Sequence, residues 1–263
     1  MTIEIHQQIS AELAQIEREH DVKVIYACES GSRAWGFPSE DSDFDVRFIY
    51  IHRPDWYLSI AKRRDVIEKP IDGNLDISGW DIQKALRLFR KSNPPLMEWL
   101  GSPIVYWEQF TTAQELRALL PEYYSPRACA YHYLHMAEGN FREYLRGSEV
   151  WVKKYFYVLR PLLAILWMEQ GRGVVPTDFN IIVAQLDMDQ ALRQAINDLI
   201  AEKKAGAELR HGPRNETISA FVEREIERLS QSKPDYPNPK APVEPLDRLF
   251  IRSLGEIWSS ELP

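Results

Sequence analysis

Two aspartates, Asp43 and Asp45, stand one residue apart at the head of an apolar stretch that reads Phe-Asp-Val-Arg-Phe-Ile-Tyr. Successive side chains of a strand point to opposite faces, so Asp43, Asp45 and Arg47 are predicted to share one face. Two carboxylates side by side repel each other, and a hard divalent cation bound between them relieves that repulsion. The pattern therefore predicts a β-strand that carries a metal site at its start.

A Gly-Ser turn, Gly31-Ser32, lies about a dozen residues upstream and leads into a short helical segment. Its backbone N–H groups and its hydroxyl suit a phosphate. Gly31 lets the backbone approach a ligand closely, because glycine has no Cβ. A metal site beside a phosphate cradle is the equipment for phosphoryl or nucleotidyl transfer.

The pair formed by Gly31-Ser32 and Asp43-x-Asp45 resembles the signature of the DNA polymerase β-like nucleotidyltransferase superfamily. Over most of the chain the resemblance narrows to the YcgL-like predicted nucleotidyltransferases, a group linked to RNA repair. That narrower likeness rests on the string from Gly31 to Arg47 and on three later strings, which are Gly79-Trp80-Asp81, Lys91-Ser92-Asn93-Pro94 and Leu159-Arg160-Pro161-Leu162-Leu163.

The resemblance implies a site with three carboxylates and, usually, two Mg²⁺ ions, for which Mn²⁺ can substitute. Asp43 and Asp45 match the first two carboxylates. The third is expected from a neighbouring strand, and Asp76 is the best candidate for it. Asp81 is the rival, although its position fits helix capping better, and Asp72 belongs more naturally to a turn.

The same resemblance implies residues that contact the nucleotide near the Gly-Ser turn. Ser32 is expected to hydrogen-bond a phosphate, and Ser42 is a second candidate. Arg33 and Arg47 either pair with phosphate oxygens or balance the charge of the aspartates.

A basic and aromatic stretch occurs later in the chain and includes Lys153, Lys154 and Arg160. Such side chains together can hold a nucleotide base and its backbone. The alternative is an amphipathic helix whose aromatic side chains belong to a core. We therefore keep these three residues as candidates for nucleotide or acceptor binding.

The predicted fold class is α+β, with a mixed sheet and helices followed by an α-helical domain, which matches the superfamily arrangement. The predicted domains are a catalytic domain over 1–110 and a helical domain over 111–263. An Asp-Gly turn predicts a hairpin after the aspartate-bearing strand. Pro161 is predicted to kink or break its helix, and the proline-rich stretch 233–242 is predicted to be an extended linker.

Composition limits the functional class. The chain has 263 residues, 2 cysteines and a net charge of −7. No apolar run approaches the ~20 residues that span a bilayer, and no secretory signal pattern is seen, so we expect a cytoplasmic protein without membrane partners. A nucleic-acid substrate would have to meet a local basic patch.

The leading hypothesis is a Mg²⁺-dependent enzyme that moves an NMP unit from an NTP, such as ATP, to an acceptor and releases pyrophosphate. An RNA end is the favoured acceptor. One alternative is a non-catalytic, antitoxin-like nucleotide-binding module, and another is an enzyme that adds a nucleotide to a protein or small molecule. No oligomeric state is predicted.

Overall fold

The computed structural model describes residues 2–206, 211–231, 236, 239 and 241–259. The chain forms two compact units, each assembled from separate stretches of sequence. The first unit comprises Met1–Ala34, Asp43–Tyr124 and Pro239–Pro263, and the second comprises Trp35–Ser42 and Ser125–Asn238.

The first unit is a mixed sheet with helices, as the sequence predicts. Its strands are β1 (Val22–Glu29), β2 (Phe44–His52), β3 (Val66–Glu68), β4 (Leu75–Asp81) and β5 (Val105–Glu108). Its helices are α1 (Thr2–His20), α2 (Gly31–Ala34), α3 (Pro54–Tyr57), α4 (Ile82–Arg90), α5 (Pro94–Leu100), α6 (Thr112–Tyr123) and α12 (Glu244–Trp258).

The second unit is mainly helical. Its elements are α7 (Pro126–Tyr144), β6 (Glu149–Trp151), a 3-10 turn at Val152–Lys154, α8 (Tyr155–Glu169), α9 (Phe179–Gln185), α10 (Gln190–Lys204), β7 (His211–Pro213) and α11 (Glu216–Gln231). The two short strands β6 and β7 pair antiparallel, and the sequence did not predict them.

The five strands of the first unit lie in the order β3-β4-β2-β1-β5. Strand β2 runs antiparallel to β1 and parallel to β4, whereas β3 pairs antiparallel with β4. The parallel pair sets Asp45 of β2 opposite Asp76 of β4. Two carboxylates that are 31 positions apart in sequence are thereby brought to one place.

Each face of this sheet is buried against helices. On one face, Val46, Phe48 and Tyr50 belong to a core that also includes Ile9 and Leu13 of α1. The other face carries Ile49 and Ile51, and its core also holds side chains of α4, α5, α6 and α12. The predicted alternation along β2 therefore reflects burial of both faces, with polar side chains left only at the end of the strand.

Asp81 starts helix α4, as predicted. Its carboxylate accepts a hydrogen bond from the backbone N–H of Gln83 at 2.8 Å, which satisfies a donor that the first helical turn leaves open. Asn93 caps α5 in the same way through the backbone N–H of Leu96 at 3.3 Å. Each of these two helices therefore begins at a residue whose side chain caps its first turn.

The units divide the chain differently from the predicted boundary at residue 110. Helices α6 and α12 belong to the first unit because Leu116, Tyr123, Leu246 and Leu249 are buried in the same core as Phe89. Residues 35–42 belong to the second unit. In that unit the ring of Phe37 stacks on Phe156, with ring centroids 4.4 Å apart.

Pro161 lies inside α8 without breaking it, since the helix runs through to Glu169. The predicted break is therefore wrong, and the alternative, a kink, stays a prediction. The helix ends at Glu169, and Gly171 just beyond it has a φ of +66°, the left-handed conformation that glycine adopts easily. The predicted linker 233–242 lies largely outside the described residues. Among the helices that the structure describes, each is too short or too polar to cross a lipid bilayer.

Candidate active site

The centre of the candidate site is the pair Asp45 and Asp76, which face each other across the parallel strands β2 and β4. Their side chains are 29% and 31% exposed, so both carboxylates reach solvent. The parallel pairing of β2 with β4 brings these two residues together, although they are far apart in sequence. A divalent ion or a phosphate would have access to them from the solvent side.

Arg47 joins these two carboxylates. Its Nη2 donates to Oδ2 of Asp76 at 2.8 Å and to Oδ1 of Asp45 at 3.3 Å. Its Nη1 donates to the backbone carbonyl groups of Val46 and Asp76. One guanidinium therefore offsets part of the repulsion between two acids that the strand register forces together. Of the two roles considered for Arg47, this contact is the charge-balancing one.

The Gly-Ser turn lies directly against Asp45. Residues Gly31–Ala34 form the single helical turn α2, and the backbone N–H of Ser30 donates to the carbonyl of Asp45 at 2.8 Å. Gly31 has a φ of +60°, and a Cβ built there would lie 2.0 Å from Oδ2 of Asp45. Only glycine therefore allows the turn and the carboxylate to occupy these positions together.

Glu29 is a member of the site that the sequence reasoning missed. It is fully buried at the end of β1, where its Oε1 accepts the backbone N–H of Asp45 at 2.8 Å. Its Oε2 accepts the hydroxyl of Tyr106 at 2.5 Å. Burial raises the pKa of Glu29 to about 7, although both hydrogen bonds favour the charged form. An acid directly after the apolar run from Val24 to Cys28 is the signal that could have found it.

Asp43 is exposed and lies one residue before the start of β2, so a face shared with Asp45 stays a prediction. Its backbone carbonyl accepts a hydrogen bond from Nε of Arg33 at 3.0 Å. The guanidinium of Arg33 also lies over the ring of Phe44, 3.7 Å from the centroid. Arg33 therefore links helix α2 to the start of strand β2.

Within the described residues, no group of three or more histidine, cysteine or acidic side chains is arranged to hold a metal ion. The donor chemistry nevertheless fits Mg²⁺, which prefers one or two carboxylates together with substrate phosphates and water. Asp45 and Asp76 supply two carboxylates in register at a solvent-accessible edge. These two residues would hold the ion, and Asp43 as a third ligand stays a prediction.

Asp81, the rival of Asp76, lies elsewhere on β4 in a different environment. It is 1% exposed and accepts both the N–H of Gln83 and the hydroxyl of Tyr57, the latter at 2.7 Å. Burial raises the pKa of Asp81 to about 6. These contacts make Asp81 a helix cap.

Four other predicted binding residues lie in the second unit, and they are Ser42, Lys153, Lys154 and Arg160. The hydroxyl of Ser42 accepts the backbone N–H of Ser39 at 2.9 Å and closes a local turn. Lys153 is exposed, and the ammonium of Lys154 lies 4.3 Å from the ring centroid of Tyr144. Arg160 is 5% exposed.

The buried side chain of Arg160 contacts an aromatic ring and a backbone carbonyl. Its guanidinium lies 4.4 Å from the ring centroid of Trp35, and its Nη2 donates to the carbonyl of Thr177 at 3.5 Å. Cation–π contacts of this kind stabilise a buried guanidinium. The structure therefore places Arg160 in the core of the second unit and leaves Lys153 as the exposed member of the predicted cluster.

A known relative matches nearly the whole of this chain. The protein YcgL of Bacillus subtilis strain 168, described as uncharacterized, is 49% identical over 253 residues, which is 96% of this chain and 97% of that protein. A nucleotidyltransferase-like protein from Exiguobacterium sibiricum 255-15 aligns over 98% of this chain and 91% of its own, at 11% identity and a TM-score of 0.33, too weak a likeness to support a conclusion.

The family comparison covers both units. The model of the RNA repair pathway DNA polymerase beta family, RlaP, matches residues 5–252. That span includes the Gly-Ser turn, the carboxylate pair and most of α12. With its mixed sheet and helices, the chain has a polymerase β-like α+β fold, and it belongs to the RNA repair pathway DNA polymerase beta family.

Proposed function

We propose that this protein is a Mg²⁺-dependent nucleotidyltransferase that transfers an NMP unit from an NTP to the end of an RNA. The family, whose description names both RNA repair and a polymerase, supports the reaction class. The observation that carries the proposal is the register of β2 and β4, which sets Asp45 opposite Asp76 beside the Gly31-Ser32 turn.

In the proposed reaction a hydroxyl oxygen of the RNA attacks the α-phosphorus of the NTP. The bond from that phosphorus to the oxygen that bridges to the β-phosphate breaks, and pyrophosphate leaves with the electron pair. The proton of the hydroxyl passes to a carboxylate or to water. Bound Mg²⁺ would lower the pKa of the attacking hydroxyl and neutralise charge on the triphosphate.

Each part of the site has a role in this reaction. Asp45 and Asp76 would hold the metal ion, and Asp76 would also help to take the proton from the attacking hydroxyl. Gly31 and Ser32 bind a phosphate through backbone N–H groups and a hydroxyl. Arg47 orients the two carboxylates in the free protein and pairs with phosphate oxygens when the substrate brings further negative charge.

The test is a transfer assay with each NTP labelled at the α-phosphate, Mg²⁺ and single-stranded RNA. We expect label on the RNA, and we expect that label at the γ-phosphate is never incorporated. Asp45→Asn should abolish transfer. Asp55→Asn, which changes an exposed aspartate of α3, is the matched control and should leave it unchanged.

Three other outcomes would contradict the proposal. Label on a protein or a small molecule in place of RNA would identify the acceptor class as one of the alternatives. Nucleotide binding without transfer to any acceptor would identify a non-catalytic module. Full activity of Asp45→Asn would show that the carboxylate pair is not the catalytic centre.

A further inference from the structure

A cavity of roughly 300 Å³ opens at the end of β2 that lies away from the carboxylate pair. Tyr50 and His52 of β2, Trp56 of α3 and the two arginines Arg63 and Arg64 line it, together with residues of β3. Its volume is at the lower end of the range for small-molecule sites. His52 lies seven positions after Asp45 along β2, a rise of roughly 23 Å.

One wall of the cavity is aromatic. The rings of His52 and Trp56 stack with centroids 4.0 Å apart and planes 8° from parallel. The ring of Tyr50 meets His52 edge-on, with centroids 5.4 Å apart. Burial lowers the pKa of His52 to about 4, so the imidazole is neutral at pH 7. The two rings cover one face of each other, so an aromatic ring of a ligand can extend this stack on an outer face.

The rim of the cavity is basic. Arg63 and Arg64 belong to Lys62-Arg63-Arg64, which is the only run of three consecutive lysine or arginine residues in a sequence of net charge −7. All three side chains are exposed, and the guanidinium of Arg63 lies 5.4 Å from the ring centroid of Trp56. Glu68 pairs with Arg64 at 2.5 Å and leaves the run with net positive charge.

Tyr50, one of the residues that line the cavity, carries a buried polar atom. Tyr50 is fully buried, and its hydroxyl has no hydrogen-bond partner among the described residues. Buried hydroxyls are normally paired, so an unpaired one calls for an explanation. A ligand with donor and acceptor groups on a flat ring would supply the missing partner.

We propose that this cavity binds one nucleotide of a single-stranded RNA, with the base against the aromatic wall of His52 and Trp56 and the phosphates on Arg63 and Arg64. Stacking on aromatic side chains combined with basic contacts to the backbone is the usual means of holding single strands. An anion alone would need the arginines but not the wall, and an apolar ligand would need the wall but not the arginines.

This inference extends the proposed function, because it gives the RNA acceptor a second point of contact at the opposite end of β2. It is tested by binding in the absence of NTP, with the intact chain carrying Asp45→Asn. The measurement therefore stands even if no transfer reaction is found, and a failure here would leave the transfer assay unaffected.

The experiment follows the fluorescence anisotropy of an end-labelled single-stranded RNA of about a dozen nucleotides, within the range of known single-strand sites. Arg63→Gln together with Arg64→Gln should weaken binding about tenfold or more. The plot of log affinity against log salt should become shallower by roughly 1.4, because each phosphate contact on a single strand contributes about 0.7. The control changes two other exposed arginines, Arg224→Gln with Arg248→Gln, and should bind as the parent does.

A second variant tests the base contact. Trp56→Ala should weaken binding about tenfold and Trp56→Phe much less, because stacking needs an aromatic face. A thermal midpoint close to the parent value verifies that each variant folds. The double arginine variant, with exposed side chains only, keeps the test valid if Trp56→Ala does not fold.

Three results would overturn the proposal. The first is unchanged RNA binding in the double arginine variant. The second is equal affinity for the single strand and for an RNA duplex of the same sequence, whose bases are not available to stack. The third is competition by a polyglutamate peptide as effective as competition by unlabelled RNA, which would show a site for acidic protein segments.

Discussion

Aspartates lie at both ends of the strand pair β2 and β4, and their surroundings differ. The pair Asp45 and Asp76 is exposed to solvent, whereas Asp81 is buried. At one end Asp76 faces Asp45, both are about 30% exposed, and a guanidinium joins them. At the other end Asp81 is 1% exposed and is held by a backbone N–H and a tyrosine hydroxyl. Exposure and partners, more than residue type, separate a candidate catalytic acid from a helix cap.

The largest expected effect is on transfer at the exposed end. Asp45→Asn and Asp76→Ala should each reduce turnover by at least about a hundredfold, because each removes a carboxylate that would hold the metal ion, which stabilises the negative charge of the transition state. The thermal midpoint should stay near that of wild type, since Arg47 keeps one carboxylate partner. Steady-state kinetics test the expected loss of turnover, and a thermal melt of the same preparations tests the unchanged midpoint. Normal turnover in Asp76→Ala would remove it from the site.

The opposite phenotype is expected at the buried end. Asp81→Ala should lower the free energy of unfolding by about 1 kcal/mol for the lost cap. It should cost about 1–3 kcal/mol more for the Tyr57 hydroxyl left without its acceptor. Urea unfolding measures the loss, and turnover of the remaining folded protein should be normal. If Asp81→Ala were stable but inactive, the roles of Asp76 and Asp81 would have to be exchanged.

The buried end should also titrate. Because burial raises the pKa of Asp81 to about 6, the folded state holds this proton more tightly than the unfolded chain does. Its stabilising contribution is therefore complete below the ordinary pKa of about 4 and is lost as the pH rises through 6. Asp81→Asn, which keeps the cap, should gain stability relative to wild type between pH 4 and pH 7. Urea unfolding across that range measures the gain.

Asp55→Asn is the control for that titration, since Asp55 is exposed. Its unfolding at the same pH values gives the baseline against which the gain of Asp81→Asn is compared. A gain for Asp81→Asn that does not change with pH would mean that the buried carboxylate is charged throughout, and the contrast between the two ends would lose its electrostatic basis.

The smallest expected effect concerns Arg47. Arg47→Met should lower the thermal midpoint of the metal-free protein by the equivalent of about 1 kcal/mol, because Asp45 and Asp76 then face each other without a cation. Added Mg²⁺ should restore part of the loss. Arg64→Met, at an exposed ion pair with Glu68, should lose less and should not respond to Mg²⁺. Equal responses of the two variants would argue against a metal at the carboxylate pair.

Local signals in the sequence were sufficient for much of this picture. The alternation in β2 and the Asp-Gly turn that precedes β4 are readable from short windows, and so is the cap at Asp81. Helix α9 was missed although Asp178 marks its start, since Asp178 accepts the backbone N–H of Asn180 at 2.8 Å. That short helix carries a weak periodic signal, and its cap was the better guide.

Other features depend on contacts between distant parts of the chain. The register that sets Asp45 opposite Asp76 comes from parallel pairing, which no local pattern specifies. The burial of Arg160 over Trp35 likewise joins residues far apart in sequence. The apolar residues on both sides of Arg160 nevertheless indicate a buried position.

The assignment of α12 to the first unit has a consequence for the order in which the chain folds during synthesis. Leu246 and Leu249 of α12 complete the core that contains Ile25 and Phe89, yet they leave the ribosome after the whole of the second unit. Domains generally fold as they emerge. The second unit can therefore fold first, while the sheet that carries Asp45 and Asp76 still has part of its core exposed. A chain that terminates before α12 would retain every candidate catalytic residue and still lack a finished catalytic unit.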